Sequence, residues 1–164
     1  MFSEMKDRLS RFKITTNPQE VLGVKTWRTE MSALMCLAGY HEYTHDVKLQ
    51  KKLMVEILMA DKENINNVDI YHDSALTYAI MHSHPEIVHL LLENGANPSQ
   101  KMMYGSALYV AVLYRRKEVV ERLATDDCLD ARHEMLGTLL PTPLELALHM
   151  NFIEGVRILD AAYV

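Results

Sequence analysis

The chain has 164 residues, of which 49% are hydrophobic and 24% charged, values of an ordinary globular domain that exclude a disordered or fibrous polymer. A net charge of −5 works against binding the phosphate backbone of nucleic acid, which calls for a clustered positive field. No apolar run approaches the ~20 residues of a membrane-spanning helix, so one compact unit without a membrane segment is expected.

The first 14 residues carry Glu4, Lys6, Asp7, Arg8, Arg11 and Lys13, which leaves no room for the apolar core of a secretory signal. Met5, Leu9 and Phe12 fit one face of a short helix. Asn17-Pro18-Gln19-Glu20 reads as N-cap, first-turn proline and capping acid of another. Residues 1–30 are therefore expected to form an N-terminal helical cap. Two cysteines, Cys36 and Cys128, cannot build a disulfide framework, and a reducing cytoplasm is the expected compartment.

From there the sequence repeats itself. Ser32-Ala33-Leu34, Ser74-Ala75-Leu76, Ser106-Ala107-Leu108 and Thr142-Pro143-Leu144 each open a helical pattern, at spacings of 42, 32 and 36 residues. A hydroxyl ahead of a good first-turn residue is a helix N-cap, because the side-chain oxygen accepts an otherwise orphan backbone N–H. Ala79, Ala111 and Ala147 follow three of these triplets at one offset and allow close helix approach. Second apolar runs then recur at Ile87-Val88-His89-Leu90-Leu91, Val119-Val120-Glu121-Arg122-Leu123 and Gly155-Val156-Arg157-Ile158-Leu159. Gly95 closes the second helix of the second copy, where a positive φ is cheap. Four copies of one helix pair are predicted, over about residues 31–67, 68–100, 101–136 and 137–164. Extra residues at about 40–50 and 126–140 are placed on loops.

The second copy resembles the ankyrin repeat, with Asp69, Ser74, Leu76, Ala79, Ile80, His84, Ile87, Val88, Leu90, Leu91, Leu92, Gly95, Ala96 and Asn97 at matching places over a unit of about 33 residues. The third copy keeps Gly105 to Leu108, Ala111, Val119, Val120 and Leu123, with Arg115-Arg116 where Gly-His is usual. The fourth keeps Thr142, Pro143, Leu144, Ala147, Val156, Ile158 and Leu159. The histidine of the family's T-P-L-H box is replaced by Met35, Thr77, Tyr109 and Glu145, which puts the family's inter-loop hydrogen bonds in doubt. The resemblance implies an all-α helical solenoid with short hairpin-type turns, a non-catalytic module that binds a protein partner and needs no cofactor. Its concave face is built from the turn ahead of each box and the exposed end of each first helix. Carried onto this sequence, those places are Ile70, Tyr71, Asp73, Met81 and His82, then Met102, Met103, Gly105, Leu113 and Tyr114, then Pro141, His149 and Met150. A row of Met and Tyr suits a protein-binding groove. Small viral and bacterial ankyrin proteins that act on host pathways have a similar layout, as do free-standing inhibitors of transcription factors. A secreted effector of that kind would work in the host cytoplasm.

Several motifs point elsewhere. His41-Glu42-Tyr43-Thr44-His45 has the H-E-x-x-H spacing of zinc peptidases, in which two imidazoles one helical turn apart hold the metal and the glutamate acts as general base. Asp46, Lys48 and Lys51 break the continuation that would supply a third ligand, so an exposed polar segment is preferred and a zinc-dependent hydrolase is the alternative. Lys101 and Arg115-Arg116-Lys117 read as solvated charge rather than a basic patch, and His82, His84 and His89 diverge around their helices. Where the C-terminal copy exposes the face that inner copies bury, self-association or a docking partner is expected.

Overall fold

A computed structural model describes residues 32–39, 47–60, 62–82, 85–100, 105–124, 134–135, 138–139 and 141–163. Eight α-helices are found among them: α1 (Ala33–Ala38), α2 (Val47–Ala60), α3 (Ala75–His82), α4 (Pro85–Glu93), α5 (Ala107–Leu113), α6 (Lys117–Leu123), α7 (Pro143–His149) and α8 (Ile153–Ala162). A 3₁₀ turn spans Lys62–Asn66, and β1 (Glu134–Met135) pairs antiparallel with β2 (Thr138–Leu139). The expected N-terminal cap and the histidine motif at 41–45 lie outside the described residues.

The serine and threonine boxes start the first helices as their chemistry requires. Ser32 Oγ accepts from Met35 N–H at 3.2 Å, Ser106 Oγ from Tyr109 N–H at 3.3 Å, and Thr142 Oγ1 from Glu145 N–H at 3.2 Å. In three copies the residue that replaces the family histidine closes the box in return. The backbone N–H of Ser32 reaches Met35 Sδ, that of Ser74 reaches Thr77 Oγ1, and that of Thr142 reaches Glu145 Oε2. The missing histidine is thus replaced by other acceptors at the same position.

Each first helix packs on the second helix of its own copy, the first helices stack in the row α1, α3, α5, α7, and α4, α6 and α8 stack behind them. Short connections, such as residues 114–116 and 150–152, turn the chain back within a pair. Leu34, Leu76 and Leu108 are buried at equivalent places and Leu144 packs against the same core. Ala79, Ala111 and Ala147 are fully buried where neighbouring helices press together. The core is therefore continuous through the stack, from Met54 of α2 to Leu159 of α8.

Gly95 ends α4 at φ 99, with Ala96 N–H bonded to Leu91 O and Gly95 N–H to Leu92 O, the closing pattern of a left-handed C-cap. Adjacent turns are then latched by Asn66. Its Nδ2 donates to Gly95 O, its Oδ1 accepts from Asn97 N–H at 2.8 Å, and its carbonyl accepts from Gln100 Nε2.

Two expectations about loops are corrected. Residues 47–50, assigned to an insertion between the first pair of helices, belong to α2, because Val47, Gln50, Met54, Ile57 and Leu58 form a single apolar stripe with Gln50 donating from Nε2 to Leu37 O. The segment at 126–140 is not loop throughout, since it holds the β1–β2 ladder, with Glu134 opposite Leu139 and Met135 opposite Thr138.

Candidate functional site

The turn before α3 is built on one buried carboxylate. Asp69 Oδ1 accepts from the backbone N–H of Tyr71 at 2.9 Å and of Asp73 at 3.0 Å, while Oδ2 accepts from the Tyr78 hydroxyl at 2.7 Å. Asp69 N–H bonds Asp73 O, and Val68 bridges Ser74 across the base. His72 sits at φ 59, a left-handed conformation that lets the chain reverse. With its backbone tied down from inside, the turn directs Ile70 and Tyr71 outward, 50% and 47% exposed.

Asp73 behaves differently from the groove role expected of it. It is buried, and its Oδ1 has no hydrogen-bond partner. Burial, with Asp69 nearby and His72 partly opposing, pushes its carboxyl up to about 6. Burial and the bond to Asp69 also raise the Tyr78 hydroxyl above its ordinary value. The Tyr78 ring stacks on His82, centroids 6.5 Å apart.

The remaining positions divide by depth. Tyr114, at the end of α5, is 43% exposed, and His149, at the end of α7, is also exposed. His82, Leu113, Pro141 and Met150 are half-buried, with Leu113 and Met150 packed against the core. Met81 is buried, and its carbonyl accepts from Arg116 of the next copy. Gly105 is buried at φ 105, where a Cβ would come within 3.2 Å of the Tyr109 ring. Asp73, Met81 and Gly105 therefore leave the exposed row, while Met102 and Met103 lie outside the described residues. The structure brings Ile70, Tyr71 and Tyr114 to the surface at successive turn and helix ends.

The arginine pair read as solvated charge is tied into the stack. Arg116 donates from Nε to Ile80 O at 3.0 Å and from Nη2 to Met81 O, capping α3 in the preceding copy. Arg115, at φ 54 in the place where glycine is usual, donates from Nη2 to Met150 O in the following copy. Consecutive guanidinium groups thus reach opposite ways along the solenoid. The third member of the run, Lys117, behaves as surface charge, in an exposed pair with Glu121 at 3.7 Å.

A family model described as ankyrin repeats (3 copies) matches residues 14–102 and again 44–135. The chain belongs to the ankyrin repeat family. Repeats of this family generally mediate protein–protein interaction and are typically non-catalytic. No curated protein sequence matches the chain significantly. Among the described residues no helix is long and apolar enough to cross a membrane.

The exposed face expected of the C-terminal copy is a second apolar surface, whose residues sequence reasoning did not name. Leu148, Asn151, Ile153, Val156 and Arg157 line a shallow depression there, with Leu148 55% and Ile153 61% exposed. The signal was present: Leu148 stands where Ile80 and Val112 stand in the inner copies, and both of those are fully buried.

Proposed function

We propose that the chain binds a partner protein through the concave edge formed by the turn at 69–73 and the end of α5, as an adaptor or as an inhibitor occupying a surface of a signalling protein. The observation that carries this reading is the outward placement of Ile70, Tyr71 and Tyr114 over an anchored backbone. Exposed aromatic side chains on rigid turns supply contact area at small entropic cost, and aromatic anchors are enriched among the residues that dominate binding energy. His82, His149 and Met150 extend the row at the helix ends, and Met102 and Met103 belong to it by sequence.

Replacing Ile70, Tyr71 and Tyr114 together with alanine is expected to weaken capture of a specific partner about 100-fold or more, since each truncated anchor costs roughly 1–2 kcal/mol. Helical circular dichroism should be unchanged, because these side chains are outside the core. Undiminished capture would assign binding to the convex side or to the last repeat. Metal analysis of tag-free protein should find zinc well below one per chain. One zinc per chain, lost on His41→Ala or His45→Ala, would establish the hydrolase alternative instead.

A further inference from the structure

In the inner copies two positions are fully buried: Ile80 and Val112 on the first helices, Val88 and Val120 on the second. Leu148 and Val156 occupy those places in α7–α8, yet Leu148 is largely exposed and Val156 half-buried. Ile153 projects beside them. An outer face in a solenoid is ordinarily polar. This one keeps the apolar character of an inter-repeat contact.

Its charges indicate the occupant. Along α8, Ile153, Val156, Arg157 and Asp160 recur at i, i+3, i+4 and i+7 and so share one face. Arg157 and Asp160 are oppositely charged and nearly one turn apart, both exposed, with Glu154 at the edge of the same row. Such a pattern is self-complementary: a two-fold axis passing between residues 157 and 160 sets each Arg157 against the Asp160 of a second copy. An isologous contact requires this reciprocity.

We propose that the α7–α8 end face is a homodimer interface, in which a second copy of this chain packs against Leu148, Ile153 and Val156 and two reciprocal Arg157–Asp160 ion pairs fix the register. One face of two short helices is smaller than the ~800 Å² per partner of tight complexes, so the dimer is a weak one.

The test is sedimentation of the full chain over about 5 to 500 µM, a range that spans the affinity of a small interface. The weight-average mass should rise from one chain toward two. Arg157→Asp and Asp160→Arg, each of which places like charges together in both pairs, should stay monomeric throughout, as should Leu148→Glu. The double variant Arg157→Asp/Asp160→Arg recreates the reciprocal pairs and should dimerise again. A wild-type chain that stays monomeric at the highest concentration overturns the proposal. So does a dimer that survives both single swaps, a double variant that remains monomeric while its circular dichroism is native, or growth into open-ended oligomers by stacking onto the other end of the solenoid. Alanine at Ile70, Tyr71 and Tyr114 should leave the dimer intact, which separates this result from that of the concave edge.

Discussion

His72, Arg115 and Asn151 all hold positive φ, but for different returns. Asn151 tolerates the left-handed region by its nature, and Arg115 gains a bond to Met150 O from its position. His72 holds its positive φ with an exposed side chain, so His72→Gly is expected to stabilise the fold by about 1 kcal/mol, read from a denaturant midpoint. Asp73 carries the opposite kind of cost. Its folded-state pKa, about 6, lies above the ordinary carboxylate value of 3.8, so the folded protein binds more protons than the unfolded chain between those limits. Stability contributed by this group is full below the lower value and is lost as pH rises through about 6. Asp73→Asn should flatten the pH dependence of stability across that window and raise stability at neutral pH by about 1–2 kcal/mol, because it removes a buried charge that faces Asp69. A parallel pH profile for both proteins would contradict the assignment.

At the scale of the helix pair, the third and fourth copies solve one junction in two ways. Arg116 in the third copy bonds carbonyls of α3, and Val119 fills the core one turn on. In the fourth, Phe152 takes the arginine's place and turns inward, and Gly155 takes the valine's, since a Cβ there would lie 2.3 Å from the Phe152 ring. Gly155→Ala should therefore destabilise by about 1–3 kcal/mol despite the better helix propensity of alanine. Arg116→Ala should cost about 2 kcal/mol by leaving the Ile80 and Met81 carbonyls without their charged donor. Periodicity and N-caps made the four helix pairs readable in advance, because those signals are local. The arginine bonds were not readable: Arg116 and Ile80 are 36 residues apart, and a charged triplet looks the same whether solvated or bonded. The start of α2 was misplaced for a related reason, as Gln50 is a polar residue in a core stripe and its partner, Leu37 O, lies in another helix. Likewise Asp73 and Met81 looked accessible from repeat position alone, whereas the fold of the Asp69 turn and the flanking helices bury them.

Among the described residues the main contacts of each ankyrin pair are with its neighbours, so position in the row governs the effect of equal substitutions. Leu108, fully buried and flanked by α3 and α7, should cost about 3–5 kcal/mol on truncation to alanine. Leu144, half-buried in the last pair, should cost about 1 kcal/mol, and its loss should loosen α7–α8 before the rest, seen as an early phase in thermal unfolding. The same arrangement leaves the turn at 69–73 and the exposed ends of the first helices free, and recognition by these positions is the central claim. Its most direct test is amide hydrogen exchange with and without a captured partner. Binding along the edge predicts slowed exchange at residues 69–73 and 113–116, with α4, α6 and α8 unchanged. Protection confined to α8 or to the second helices, with 69–73 exchanging as in the free protein, would contradict it.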